Sequence, residues 1–450
     1  MPGMHAPSES VNQDPREGAP YHLRSLATGA VVAETPDQPL TAPGYAGDGS
    51  LLRTEYPTVQ FQPDPLAEGL HRFASWLPLR RPLAGSGGPV SWKSRGLADA
   101  LSMKNLYVSF SGWWPERGAR IPTGTFKENE AYAVFGRLGE EAHNRMLVVA
   151  SAGNTARAFL RVATENHLPL VVVVPEQNLP EIWTVAPRGG TTVVVAVRAG
   201  MDYTDAIELA ALLSESPGFR PEGGARNVAR RDGMGTTYLA GAEAMGRVPD
   251  HYIQAVGSGT GGIAAWEANL RLLADGRYGS TVTMLHLVQN APFQVLADSW
   301  AARSRDLLIP DHETARQQTA EIVAKVLANR APPWSMTGGL FDALTATNGK
   351  MYAVANNAAI SAGQRFLALE GVDLSPAAMV AVAGLELALE QGTINRDDYV
   401  LLNITGGGYH RIRKELAVVP VTPDILAGRE LFHPEAIATA VRRIQTIRGE

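Results

Sequence analysis

Tyr252-Ile-Gln-Ala-Val256 runs straight into Gly257-Ser-Gly-Thr-Gly-Gly262, and the apolar pattern that resumes over Ala264–Ala274 has helical spacing. A hydrophobic strand, a glycine turn and a helix in that order form one unit of an α/β fold. Glycines let the main chain approach an anion closely, and the amides of Gly257, Ser258, Gly259, Thr260 and Gly261 at a helix start can bind it. Ser258 and Thr260 add hydroxyl donors. The loop lacks the lysine of a P-loop, which argues against a nucleoside triphosphate. Its glycines fit the spacing of a dinucleotide loop. However, the following strand, Thr283–Val288, ends without the acidic residue that a ribose needs.

Working outward, the same unit repeats. Strand Met146–Ala150 leads through Ser151-Ala-Gly-Asn-Thr155 into a helix, and Leu170–Val174 is a continuous β-branched run of the kind buried on both faces. Strand Thr191–Val197 precedes helix Tyr203–Ser214, and helix Thr236–Met245 precedes the opening strand. Strand Met351–Val354, helices Asn357–Leu369 and Pro376–Glu390, and strand Tyr399–Ile404 complete the series, with helix Gly96–Leu101 and strand Asn105–Phe110 before it. The expected fold is α/β, with doubly wound, mainly parallel sheets.

At 450 residues the chain is long enough for about two domains. Residues 1–20 read as a disordered tail and 21–95 as a β-ribbon with a proline-rich connector. Residues 96–415 read as a core of two α/β lobes, the smaller inserted at about 140–245, with 416–450 as a helical extension. A net charge of −5 without a basic stripe argues against nucleic acid. The absence of cysteine removes disulfides, thiolate nucleophiles and cysteine-bound metals. No apolar run reaches membrane length and no signal peptide is evident, so a cytoplasmic enzyme is expected.

Three further junctions carry polar chemistry. In Ile121-Pro-Thr-Gly-Thr-Phe-Lys127-Glu-Asn-Glu130, Lys127 opens a helix whose apolar stripe is Ala131, Val134, Phe135 and Leu138. A lysine there is either a solvated first-turn residue or an amine held in a pocket for covalent chemistry. The first is the common case, but the helix dipole disfavours a cation at that end. Ser151, Asn154 and Thr155 are either a plain cap or donors toward a carboxylate. Thr405, followed by Gly406-Gly-Gly408, ends the last strand. Junctions at the C-terminal ends of strands converge on one crevice of such a sheet. One lysine with phosphate-binding glycines, and no metal cluster, fits a Schiff-base cofactor better than hydride transfer.

Taken in order, Thr125-Phe-Lys127-Glu, Ser151-Ala-Gly-Asn154-Thr, Gly257–Gly262 and Thr405-Gly-Gly-Gly408 resemble fold-type-II pyridoxal-phosphate enzymes (tryptophan synthase β-like) of the threonine synthase group, over roughly residues 100–415. Leu51-Leu-Arg-Thr-Glu-Tyr56, Trp76-Leu-Pro78 and Phe110-Ser-Gly-Trp-Trp-Pro-Glu-Arg-Gly-Ala119 look most like the cysteate synthases of that group. The resemblance implies pyridoxal 5'-phosphate as cofactor and a homodimer. It also implies replacement of the phosphate of O-phospho-L-serine by sulfite, a small anionic nucleophile, to give L-cysteate. Lys127 would hold the cofactor covalently and move the proton at Cα, and Asn154 would meet the ring oxygen. Ser151 and Thr155 would hold the substrate carboxylate, Gly257 to Gly261 the cofactor phosphate, and Thr405 the pyridine nitrogen. A neutral hydroxyl at that nitrogen favours elimination and replacement over transamination. A second anion site would draw on Arg117 or Arg120, or on Arg226, Arg230 or Arg231 in what reads as a polar loop. Trp113 and Trp114 would either line the pocket or pack in the core. The small residues of the lysine motif differ from the form associated with archaeal cysteate synthases. Another nucleophile, in a secondary-metabolite pathway, therefore stands beside sulfite; a separate alternative is threonine synthase acting on O-phosphohomoserine.

Overall fold

The computed structural model describes residues 20–35, 40, 49–330 and 332–448; the expected N-terminal tail lies almost entirely outside them. The opening strand, found as His251–Ala255, is central in a six-stranded sheet. Across that sheet the order is Lys350–Val354, Met284–Asn290, His251–Ala255, Tyr399–Ile404, Asn105–Phe110 and Val90–Lys93. All neighbours are parallel except the last pair. The edge strand Val90–Lys93 lies in the stretch expected as connector.

A second sheet, five-stranded and wholly parallel, runs Phe219–Pro221, Met146–Ala150, Leu170–Pro175, Thr192–Val197 and Ile425–Ala427. Residues Leu170–Pro175 and Thr192–Val197 are buried throughout. Burying one valine side chain stabilises by roughly 1.5–3 kcal/mol. That exceeds the ~1 kcal/mol spanned by intrinsic strand propensity, so burial decides these strands. The expected helical extension from residue 416 also supplies the edge strand Ile425–Ala427, before the helix Pro434–Arg448.

The helix expected over Thr236–Met245 starts at Val228, capped by Asn227, whose Oδ1 accepts from the Ala229 amide at 3.1 Å. The sequence Ala229-Arg-Arg-Asp232 that reads as a loop is therefore helical. Two of its charges are satisfied inside the protein. Arg231 donates from Nε to Glu267 at 3.0 Å, and Asp232 accepts from Thr54 at 2.6 Å and Tyr56 at 2.7 Å. The Asp232–Thr54 bond, with a bond from Arg231 Nη2 to the Leu52 carbonyl, fastens the N-terminal ribbon, an antiparallel sheet of Val31–Val32, His22–Ser25 and Leu52–Glu55, onto the helix. The helix in turn packs on Lys127–Leu138 and Thr260–Asp275 and on the larger sheet. Gly233 permits the first contact, since a Cβ there would stand 2.4 Å from the Asn129 carbonyl oxygen. Helices Val295–Ala301, His312–Glu321 and Leu340–Ala346 add to the elements expected from the sequence. No helix among the described residues is long and apolar enough to cross a membrane.

Candidate active site

One cavity of about 700 Å³ collects the strand ends and helix starts of both sheets. Lys127, Ser151, Asn154, Thr155, Gly257, Ser258, Gly259, Thr260, Gly261 and Thr405 all line it. Arg117 does not join them. Its guanidinium lies 4.5 Å over the Trp92 ring and 4.6 Å over Trp114, held by cation–π attraction away from the cavity lining. Arg120 and Arg231 are likewise absent from that lining, as are Trp113 and Trp114. Trp113 donates from its indole to Glu415 at 2.7 Å, and Trp114 packs edge-on against Trp92 and Phe110. Of the candidate arginines, the cavity keeps Arg226 and Arg230.

Lys127 begins the helix Lys127–Leu138 and donates from Nζ to Glu130 Oε2 at 2.9 Å. Glu130, fully buried, continues the chain to Arg230, whose other nitrogen meets Glu222 Oε2 at 2.6 Å. Four ionisable groups thus alternate in sign, with Lys127, Arg230 and Glu222 lining the cavity and Glu130 buried behind them. Burial pushes the Lys127 ammonium below its ordinary value, with Arg230 adding to the effect and Glu130 opposing it. A lowered lysine holds more of the neutral amine that can accept a proton. Burial also raises the Glu222 carboxyl to about 7. Glu130 is readable in retrospect, because positions i and i+3 share a helix face. Glu222 carries no such mark.

The opposite wall is mostly main chain. Helix Thr260–Asp275 starts at the glycine loop, with Ser258 Oγ and Thr260 Oγ1 2.8 Å apart at its mouth. A Cβ on Gly257 would meet the Leu327 backbone at 2.9 Å, so the loop is a close-walled cradle. Beneath it, Asn403 donates to Tyr252 at 2.7 Å and to Gln254 at 3.1 Å, binding the two strands that carry Gly257 and Thr405. Ser151 serves as a cap as well as a lining residue: its Oγ accepts from the Gly153 and Ala156 amides at 3.0 and 2.9 Å. Its hydroxyl hydrogen is left to donate.

The donor set fits pyridoxal phosphate. It combines a cradle of amides and hydroxyls at a helix start for the phosphate with a desolvated lysine for the aldehyde. Asn154 and Thr405 offer polar groups for the ring oxygen and nitrogen. Among the described residues no cluster of metal-ligating side chains is present.

A family profile described as "Pyridoxal-phosphate dependent enzyme" matches residues 114–406. Cysteate synthase from Methanosarcina acetivorans is 46% identical over 84% of this chain and 91% of its own length. Cysteate synthase from Methanoregula boonei is 47% identical over 91% of this chain and 95% of its own. Among solved structures, serine racemase from Dictyostelium discoideum superposes with a TM-score of 0.52 at 16% identity, covering 71% of this chain and 92% of that one. Maize serine racemase gives 0.53 at 14% identity, over 72% and 92%. At such identities the structural likeness speaks for the fold, fold type II, and the sequence likeness carries the rest. The chain belongs to the family of pyridoxal-phosphate dependent enzymes that includes the cysteate synthases.

Proposed function

We propose that this enzyme replaces the phosphate of O-phospho-L-serine with sulfite, giving L-cysteate and inorganic phosphate. The observation that carries the reading is the pairing, in one cavity, of the lysine and glycine-loop constellation with a wall bearing Arg230 and Arg226. Two anions must pass that wall: the leaving phosphate and the entering sulfite. Guanidinium groups match such oxyanions better than a point charge does. Pyridoxal phosphate, when bound, supplies the electron sink that lets the Cα–H bond break.

The chain's own residues do the remainder. The phosphate of the cofactor would be held by Gly257, Ser258, Gly259, Thr260 and Gly261, its ring oxygen by Asn154 and its pyridine nitrogen by Thr405, all of which line the cavity. Ser151 and Thr155 hold the substrate carboxylate at the start of helix Asn154–Glu165, where main-chain amides favour an anion. Lys127 takes the proton from Cα and returns it after the new C–S bond forms at the β-carbon. Glu130 keeps the lysine's Nζ in place through the 2.9 Å bond. We place this activity in a cytoplasmic homodimer, on the family likeness.

The test is a product assay with cofactor-loaded protein. O-phosphoserine is incubated with and without sulfite, O-phosphohomoserine in parallel, and the amino acids are identified by mass spectrometry. Cysteate formed only with sulfite is the expected result. Threonine from O-phosphohomoserine would move the enzyme to threonine synthase chemistry. Pyruvate and phosphate without cysteate would keep the donor and reject sulfite as the nucleophile.

A further inference from the structure

Arg157 lies one turn after Asn154 on helix Asn154–Glu165 and is 2% exposed. Its Nε donates to the Thr123 carbonyl at 2.9 Å and its Nη1 to the Glu181 carbonyl at 2.8 Å. Its Nη2 donates to Asn154 Oδ1 at 2.9 Å and to the Tyr409 hydroxyl at 3.0 Å. The guanidinium also stands 4.7 Å over the Trp183 ring and 5.5 Å over Tyr409. The Tyr409 hydroxyl in turn donates a hydrogen bond to the Gly124 carbonyl at 3.0 Å, in the turn that delivers Lys127. All three nitrogens of the side chain are engaged, so its position is fixed by partners on four segments.

A guanidinium has donors and no acceptor. The end of the Asn154 amide that meets it must therefore be the oxygen. The NH2 end is left facing away from Arg157, on a residue that lines the cavity, and no described protein acceptor takes it. A free asparagine side chain can present either end, because the two are nearly equal in size. At the electron-rich ring oxygen of the cofactor only the NH2 end attracts.

We propose that Arg157 is a positioning residue that locks the Asn154 amide so that its NH2 group, and not its oxygen, faces the cofactor's ring oxygen. The inference rests on the assignment of Asn154 to that oxygen made above. Arg157 is absent from the cavity lining. It acts through the orientation of its neighbour.

The readout is the pH midpoint of the bound cofactor's absorbance change, in wild type, N154A, R157M and the double variant. Methionine keeps the aliphatic packing against Trp183 and removes every donor. A donor at the ring oxygen stabilises its more negative form, so losing it raises the midpoint, by roughly one pH unit. N154A and R157M are expected to rise alike, with the double variant no higher than N154A. A purely structural role for Arg157 would lower thermal stability and leave the midpoint alone. An unmoved N154A would overturn the assignment of Asn154, and this inference with it. A shifted N154A beside an unmoved R157M, or shifts that add in the double variant, would overturn the inference alone. If R157M does not fold, R157Q takes its place, since a glutamine amide carries both donor and acceptor and cannot dictate which end of Asn154 meets it; a wild-type midpoint there overturns the proposal too.

Discussion

The two walls of the cavity are built by different means. On one side the Gly257–Gly261 loop presents main-chain amides at the start of a helix, backed by Gln254, Tyr252 and Asn403. On the other, Lys127, Glu130, Arg230 and Glu222 form a row of side chains whose charges compensate one another inside the protein. The first wall is specified by backbone shape and tolerates little added volume. The second is specified by charge balance, where loss of one member strands its neighbours. Each should therefore fail in its own way.

The largest effect is expected on the charged wall. Arg230→Met keeps the bulk of the side chain, leaves Glu222 without its cation and leaves Glu130 with Lys127 alone. Breaking a buried ion pair from one side costs about 3–5 kcal/mol of stability. Steady-state kinetics at saturating cofactor should show a fall of roughly a hundredfold or more in kcat/KM for sulfite, equivalent to about 3 kcal/mol. A value within threefold of wild type would reduce Arg230 to a structural ion pair. It would also remove the functional half of the contrast between the walls.

A smaller effect, of a different kind, is expected from Gly257→Ala. The new methyl group would stand 2.9 Å from the Leu327 backbone, which cannot swing away as a side-chain tip could. The loop must shift, and cofactor affinity should fall at least tenfold, or about 1.4 kcal/mol. Titration of the apoprotein with pyridoxal phosphate measures it, and activity should recover at saturating cofactor. Unchanged affinity would mean that the loop is not the phosphate cradle, and the main-chain wall would lose its role.

The same contrast governs what could be read from the sequence. The glycine loop, the buried strands and the lysine turn announce themselves locally, through apolar period and residues with special backbone freedom. Their chemistry lies within a few consecutive positions. Charged residues give no such information, because burial is settled by partners far along the chain. Arg226, Arg230 and Arg231 look alike in sequence, yet Arg230 reaches the cavity while Arg231 is spent on Glu267 and the ribbon. Arg117 neighbours the lysine motif in sequence, whereas Trp92, on an edge strand hidden in the connector, holds it outside the cavity lining. Arg157 and Glu222 carry no local mark in the sequence, and both gain meaning only from contacts that cross the fold. Of the fold, the parallel alternation was plain. The edge strands Val90–Lys93, Phe219–Pro221 and Ile425–Ala427 were not, being short and marked out only by the strands they pair with.

The mildest test separates the walls by proton. Burial raises the Glu222 carboxyl to about 7 from an ordinary 4.5, with Glu130 reinforcing the shift and Arg230 opposing it. The unfolded chain loses that proton near 4.5, whereas the folded protein keeps it until about 7. Between those values the native state binds more protons than the unfolded state, so stability falls as pH rises through the window and levels off above it. Glu128, buried beside Thr123, is also raised to about 7 and acts in the same direction. Glu222→Gln removes one of the two titrations and retains an oxygen for Arg230. Thermal unfolding followed from about pH 4.5 to 8 should show a flatter decline in this variant, with a gain over wild type of at most about 3 kcal/mol at the alkaline end. The decline that persists belongs to Glu128, and Glu128→Gln should remove it, leaving the opposite contribution of buried His286, lowered from 6.5 to about 3, which raises stability with pH up to about 6.5. Gly257→Ala, which changes the wall without a titrating group, should run parallel to wild type throughout. If Glu222→Gln also ran parallel, Glu222 would titrate as an ordinary carboxylate, and the charged wall would be balanced as two full ion pairs at every pH where the protein is folded.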